Sequence, residues 1–326
     1  MDSMVAKKIL ILSPWADCVP AELAAREDCQ FTFVRSGEDY RPHLADAQVI
    51  VGEPINEDFP LCKKLELMQS PCSGVNYYVN GGTFPEGATL CSATGCYGNL
   101  IAEHMLAMTL SLCRRLPEYQ QLQQSHSWTR LYYDKPLEGS TVLILGAGDI
   151  GTTLAQWLRP MAGKIIGIRR TVREFPSCYD EMHTLSQLDR LLPEADIVLC
   201  ALPHTPETIG LLTKERLSIM KPDAILVNGG RGSLMDQDGL MELLHQGHFW
   251  GVGLEVTSPE PLPPDHPLWD TPRCIITPHA AGNTFAPNGP LVKKIWAFMA
   301  KNLSRYLEGQ PLMNRIDFAA GYRIAE

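Results

Sequence analysis

Short runs of β-branched and aliphatic residues alternate with stretches of helical spacing from one end of this chain to the other. Strand-length apolar runs separated by helix-length segments predict βαβ units and therefore parallel sheets. In the first hundred residues the strand candidates are KILILS (8–13), QFTFVR (30–35), AQVIVG (47–52) and LELMQS (65–70). The rhythm is cleaner from TVLILG (141–146) through KIIGIR (164–169), DIVLCAL (196–202), AILVNGG (224–230), WGVGLEV (250–256) and CIITPH (274–279). Helices are predicted over 149–161, 185–192, 213–219 and 236–246. Two longer amphipathic patterns frame this region. NLIAEHMLAMTLSLCRRLPEYQQLQQ (99–124) precedes it and is expected to cross between domains. LVKKIWAFMAKNLSRYLEG (291–309) follows it, with no strand after, and is expected to return to the N-terminal part. The pattern predicts an α/β protein of two doubly wound parallel-sheet domains. Residues 1–99 and 288–326 form one, and residues 100–287 are inserted as the other.

The stretch TVLILGAGDIG carries the strongest chemical signal. A strand runs into Gly146, Gly148 and Gly151, and a helical pattern begins at once through Asp149 and Ile150. In that context Gly146 permits the tight turn, Gly148 lets the backbone approach a pyrophosphate, and Gly151 allows close helix–strand packing. The pyrophosphate would sit over unpaired N–H groups at the helix start. The next strand should end in an acidic residue if the ribose 2′-hydroxyl of NAD is bound. It ends instead in Arg169 and Arg170, a cation pair suited to a 2′-phosphate. The expected cofactor is NADP (NADPH), with NAD as a weaker alternative.

Composition narrows the class. With 28 Lys and Arg against 37 Asp and Glu, the net charge is −9, which argues against nucleic acid or an acidic membrane surface as partner. No apolar run reaches the roughly 18–20 residues of a membrane span. The stretch ILIL after Lys7 and Lys8 is too short for a signal-peptide core and reads as a first strand. Ten cysteines without a C-x-x-C pair read as reduced thiols of a cytoplasmic protein. Cys91 and Cys96 lack the company that a zinc site requires, so no metal is expected.

Three segments beyond predicted strand ends can do chemistry: 226–236 with Arg231, 253–263 with Glu255 and Glu260, and 276–282 with His279. Singly, each reads as readily as a surface arginine, a solvated loop glutamate or a turn histidine. Together they fall on the edge where open α/β sheets bind ligands. Reducing a 2-oxo acid needs a cation for the carboxylate, a donor to polarise the carbonyl, and a proton for the new alkoxide. Arg231 suits the first two tasks. His279 suits the third, with Glu260 favouring its charged form.

Those residues sit in a series of motifs: GAGDIG, LPHTPET (202–208), MKPDAILVNGGRGSLMD (220–236), SPEPLPPDHPLW (258–269) and TPHAAGNT (277–284). On these the chain resembles the D-isomer-specific 2-hydroxyacid dehydrogenases over nearly its whole length. The resemblance implies a Rossmann dinucleotide-binding domain inserted in a flavodoxin-like substrate domain. It implies Arg231 as substrate clamp, Glu260 as orienting carboxylate and His279 as acid/base. It further implies that the loop 70–76 presents backbone N–H groups to the substrate carboxylate, through Cys72, Ser73, Gly74 and Val75. Leu202, Pro203 and Thr205 should line the cofactor, together with Gly229, Gly230 and Gly282. Family members are usually dimers built on the region around 99–130, so a homodimer is expected.

Two residues depart from the family pattern. Glu255 stands where an Asp is usual near the nicotinamide carboxamide. His204 replaces a common leucine, and reads either as a reader of the NADP phosphate or as an ordinary loop histidine. The two arginines and the ending IDFAAGYR resemble the NADPH-preferring glyoxylate and hydroxypyruvate reductases. Formate dehydrogenases pair their histidine with an amide, unlike Glu260; a D-2-hydroxyacid or phosphoglycerate dehydrogenase of other substrate preference is an alternative, although no appended regulatory domain is expected. Corepressors of the family keep the Arg–Glu–His set, but no docking tail is apparent here. Positions 72–75 and the segment around 286–290 are expected to shape the pocket for the C2 substituent. Domain closure is expected to hinge near 98–101 and 284–290.

Overall fold

The computed structural model describes residues 6–172, 174–282 and 289–324. The chain divides into two compact units, Met1–Cys96 with Thr284–Glu326, and Tyr97–Asn283. The first begins with β1 (Lys7–Leu12), α1 (Ala21–Ala24), β2 (Cys29–Val34), α2 (Arg41–Leu44), β3 (Val49–Val51), β4 (Leu67–Gln69), α3 (Asn76–Gly81) and β5 (Thr89–Cys91). These five strands form one parallel sheet in the order β2-β1-β3-β4-β5, the flavodoxin-like arrangement. Ile9, Ile11, Val49, Ile50 and Val51 are almost wholly buried, as expected of a sheet covered on both faces.

The second unit follows with α4 (Gly98–Cys113), α5 (Leu116–Gln124), β6 (Thr141–Leu145), α6 (Asp149–Leu158), β7 (Lys164–Ile168), β8 (Glu181–His183), α7 (Leu188–Leu191) and β9 (Ile197–Cys200). It closes with α8 (Lys214–Ser218), β10 (Ile225–Asn228), α9 (Gln237–His245), β11 (Gly251–Leu254) and β12 (Cys274–Ile276). Its seven parallel strands run β12-β11-β10-β9-β6-β7-β8. Strand order reverses between β6 and β9, the switch point at which a Rossmann sheet opens a ligand crevice. Alternation along β6 feeds two cores. Leu143 and Leu145 join Leu188, Leu217, Leu240 and Leu244. Val142 and Ile144 join Ala102, Met105, Leu154 and Leu158.

The chain then returns to the first unit with α10 (Pro290–Leu307) and an antiparallel hairpin, β13 (Ile316–Asp317) and β14 (Tyr322–Arg323). The buried face of α10 includes Leu291, Ile295, Trp296, Met299, Asn302 and Leu303. Asn302 Nδ2 donates to Gln69 Oε1 at 2.7 Å, and Gln69 Nε2 donates to the Ser70 carbonyl at 2.9 Å. This buried polar chain ties the returning helix to the start of the loop that follows β4.

The structure differs from the hydrophobic pattern in four places, the first being that the short pair β13 and β14 follows α10, where no strand was expected. The segment 99–124 is two helices rather than one, because Arg115 takes a left-handed conformation at φ 56° and Pro117 opens the next helix. All of α4 belongs to the second unit, where Ala102, Met105, Met108 and Leu112 join its core. Strands β5 (TLC) and β8 (EMH) were not predicted; they are three residues long and carry polar side chains.

Candidate active site

Between β6 and α6 the chain builds a cradle. Gly146 has φ +104°, and a Cβ there would lie 2.7 Å from the Ala201 carbonyl oxygen, so only glycine fits the turn. A Cβ on Gly148 would meet nothing, which leaves the space above the helix start open. The N–H groups of Asp149, Ile150 and Gly151 have no acceptor among the described residues. Free amides above an open turn fit a diphosphate. Arg169 follows β7 immediately, its N–H donating to the His183 carbonyl at 3.0 Å. Arg169 is half-buried, Arg170 is exposed, and neither forms an ion pair among the described residues. The cation pair fits a 2′-phosphate.

Four loops continue from β9, β10, β11 and β12 along the same sheet edge. The first carries Leu202, Pro203, His204 and Thr205. His204 Nδ1 lies 2.7 Å from Ser233 Oγ in the second loop, an arrangement that orients the ring. In the second loop Gly229 N–H donates to the Cys200 carbonyl at 2.9 Å, and Gly230 N–H to Asn228 Oδ1 at 3.0 Å. Arg231 comes next, half-buried; its Nη1 donates to the Gly230 carbonyl at 2.7 Å, and the Arg231 carbonyl accepts from Asn228 Nδ2 at 2.9 Å. A Cβ on Gly232 would fall 1.8 Å from the Thr257 carbonyl oxygen. The arginine loop and the loop after β11 are therefore in backbone contact, which only glycine allows.

That contact brings the third loop into play. Glu260 Oε1 accepts from the Thr257 N–H at 3.0 Å, and its Oε2 lies 2.9 Å from His279 Nδ1. Burial alone would lift the Glu260 carboxyl. The hydrogen bonds from His279 and the Thr257 N–H, with the positive charges of His279 and Arg231, outweigh it and hold the group below its ordinary value. Glu260 is thus ionised at neutral pH, beside His279 and within the field of Arg231. With Nδ1 engaged by the carboxylate, Nε2 is the ring atom left to exchange a proton with a ligand. His279 itself sits at φ 51° in a turn whose N–H groups bond back to β11.

Glu255, at the end of β11, is 1% exposed. Its carboxylate is held within the second unit by Thr277 Oγ1, by the Ala281 N–H and by His104 Nε2 at 3.1 Å. Gly282 packs over the Tyr97 ring. In the first unit, the loop after β4 folds on itself: Cys72 N–H donates to Ser70 Oγ at 3.1 Å and the Cys72 carbonyl accepts from Ala93 N–H at 2.9 Å. The N–H groups of Ser73, Gly74 and Val75 have no acceptor among the described residues. Of the segments expected to hinge (98–101 and 284–290) and to shape the pocket (72–75 and 286–290), residues 284–288 lie outside the described residues. Among the described residues no group of three or more His, Cys, Asp or Glu could hold a metal ion, and no helix is long and apolar enough to cross a membrane.

Sequence reasoning missed Gln237, Ser233 and His104. Gln237 clamps the loop that carries Glu260, donating from Nε2 to the Ser258 carbonyl at 2.6 Å and accepting the Ser258 N–H at 2.8 Å. Its only sequence signal was the first position of a helix, where Asp236 already caps.

Comparison with known proteins identifies relatives of this chain. The family profile described as D-isomer specific 2-hydroxyacid dehydrogenase, NAD binding domain, matches residues 106–281. Formate dehydrogenase 2, mitochondrial, of Oryza sativa subsp. japonica is 32% identical over 84% of this chain and 75% of its own length. Glyoxylate/hydroxypyruvate reductase B of Pectobacterium carotovorum is 31% identical over 81% of this chain and 85% of its own length. The crystal structure of a D-isomer specific 2-hydroxyacid dehydrogenase from Xanthobacter autotrophicus Py2, in complex with NADPH and MES, superposes with a TM-score of 0.82 at 25% identity. That match covers 97% of this chain and all of the other.

Proposed function

Because the chain belongs to the D-isomer specific 2-hydroxyacid dehydrogenase family, we propose that it reduces a small 2-oxo acid at the expense of NADPH, with glyoxylate or hydroxypyruvate the favoured substrates. The observation that carries this reading is the pairing of His279 with Glu260 at 2.9 Å on the sheet edge that also holds Arg231.

When bound, NADPH supplies the hydride that adds to the carbonyl carbon. The chain's own residues supply the rest. Arg231 presents a planar cation whose N–H groups hold the substrate carboxylate and polarise the carbonyl oxygen. The loop 70–76 offers the N–H groups of Ser73, Gly74 and Val75 for a carboxylate, while the engaged Cys72 shapes that loop. His279, as imidazolium, gives its Nε2 proton to the oxygen as negative charge develops there, and ends neutral. Glu260 holds Nδ1 and fixes the ring orientation. The balance is one 2-oxo acid, one NADPH and one proton giving one 2-hydroxy acid and one NADP⁺.

Cofactor choice rests on Arg169 and Arg170, with NAD as the weaker partner. Gly146, Gly148, Asp149, Ile150 and Gly151 hold the diphosphate. Leu202, Pro203 and Thr205 line the nucleotide, and His204 Nε2, opposite the atom bound to Ser233, faces the same task. Gly229, Gly230, Glu255 and Gly282 border the nicotinamide end. The exposed Leu116, Tyr119, Trp128, Tyr132 and Tyr133 support a homodimer built on the region around 99–130. A glutamate beside His279, rather than an amide, favours reduction of a 2-oxo acid over formate oxidation.

Initial rates with NADPH and NADH against glyoxylate, hydroxypyruvate, pyruvate and phenylpyruvate test the proposal. Turnover of glyoxylate or hydroxypyruvate with NADPH supports it. Faster turnover with NADH would remove the cofactor assignment, and inactivity toward all four acids would remove the substrate class.

A further inference from the structure

The buried Glu255 stands apart from the three residues assigned to the chemistry. Its side chain is 2% exposed, and a carboxylate so placed persists only where donors surround it. Three donors do. Thr277 Oγ1 donates to Oε2, the Ala281 N–H donates to Oε1, and His104 Nε2 lies 3.1 Å from Oε2 and 2.9 Å from Thr277 Oγ1. The His104 N–H is therefore shared between the hydroxyl and the carboxylate. Both partners lie in or beside the turn that carries His279, whereas His104 comes from the middle of α4.

That turn is demanding. His279 adopts φ 51°, which a residue with a Cβ takes up seldom, and its N–H is shared between the carbonyls of Glu255 at 2.9 Å and Thr277 at 3.0 Å. Glu255 thus grips the turn on both sides of His279: through its carboxylate at Thr277 and Ala281, and through its own carbonyl at His279. His104 braces Glu255 in turn. Helix α4 is packed firmly enough to serve as the anchor, since Ala102 and Met105, beside His104, are fully buried.

We propose that His104 is a positioning residue: acting through Glu255 and Thr277, it holds the turn 277–281 so that the His279 ring faces the reacting oxygen. This rests on the proposed role of His279 as proton donor. A positioning role predicts a loss in kcat, because misplacing a catalytic group by about 1 Å costs up to roughly 100-fold in rate. Any change in NADPH affinity should be small beside the loss in kcat, because the cradle at Gly146–Gly151 shares no hydrogen bond with His104 and Glu255 only borders the nicotinamide end.

Steady-state kinetics with NADPH and glyoxylate, or whichever acid of the panel is turned over, should compare the unmodified protein with His104→Leu, His104→Gln, Thr277→Val and His279→Ala. NADPH affinity is read separately by fluorescence. His104→Leu should lower kcat by roughly 10- to 100-fold with KM and NADPH affinity nearly constant. His104→Gln should recover most of the loss, because a glutamine Nε2–H can donate from nearly the same point. Thr277→Val should resemble His104→Leu, and carries the test if the leucine variant does not fold. Unchanged kcat in the leucine and valine variants, a loss confined to KM, or equal impairment in His104→Leu and His104→Gln would overturn the inference. His279→Ala separates the two levels. If it retains turnover, the proton-donor reading fails and this inference with it. If it is inactive while His104→Leu is unimpaired, only the inference fails.

Discussion

Replacing Glu260 by Gln isolates the charge of one group, because the amide oxygen can still accept from His279 Nδ1. In the unmodified protein Nδ1 and Oε2 are 2.9 Å apart, with side-chain exposures of 49% and 36%. Solvent therefore screens the pair, and a value of about 1 kcal/mol, the upper part of the range for exposed ion pairs, is the appropriate magnitude. Glu260 is held below its ordinary value, so it is an anion throughout the neutral range, and its charge lies against the ring that gives a proton to the substrate oxygen. At about 1.4 kcal/mol per tenfold, losing the carboxylate should lower reductive kcat/KM by about five-fold. The assay is kcat/KM for the 2-oxo acid at neutral pH and fixed ionic strength, with NADPH saturating. An unchanged or higher kcat/KM in Glu260→Gln would show that the carboxylate does not support the proton donor.

Further expectations concern selectivity, the clamp, packing and acid stability. Arg169→Asp should cost NADPH about 1.5–3 kcal/mol, roughly 10- to 100-fold in kcat/KM, and turn preference toward NADH; unchanged selectivity would mean that the phosphate is bound elsewhere. Arg231→Lys keeps the charge but loses the planar fork, so kcat/KM for the 2-oxo acid should collapse while NADPH affinity, measured by fluorescence, stays constant. Gly232→Ala places a Cβ where the Thr257 carbonyl now sits, and should destabilise the protein by about 1–3 kcal/mol in a denaturant titration. Asp28 is held down at about 2 by its hydrogen bond to Arg26, which outweighs its burial. A depressed carboxyl stabilises the fold above its ordinary value and loses that contribution as pH falls through the depressed one. Asp28→Asn should therefore lower the melting temperature at pH 7, by an amount that shrinks as pH falls from about 4 through about 2.

The fold was legible because its strands are buried on both faces. Runs such as ILVN in β10 and IVLC in β9 need no alternation to be recognised. β8, with Glu181 and His183 flanking one methionine, offers no such run and is fixed by pairing with β7. The break between α4 and α5 was hidden by two arginines that read as ordinary helical residues. Arg231, Glu260 and His279 could be singled out because a parallel sheet brings successive strand ends to one edge, whatever their separation in sequence. His104 and Gln237 could not. They lie inside helices α4 and α9, and only the direction of their side chains in the folded chain reveals what they brace.

The central claim is that His279, held by Glu260 beside Arg231, delivers the proton when NADPH reduces a 2-oxo acid. A single-turnover experiment tests it most directly: unmodified protein and His279→Ala are preloaded with NADPH, mixed with the accepted 2-oxo acid, and followed by the loss of nicotinamide absorbance. Both proteins should bind NADPH equally well; the unmodified protein should oxidise it rapidly and His279→Ala hardly at all. Oxidation by His279→Ala at the rate of the unmodified protein would remove His279 as the proton donor.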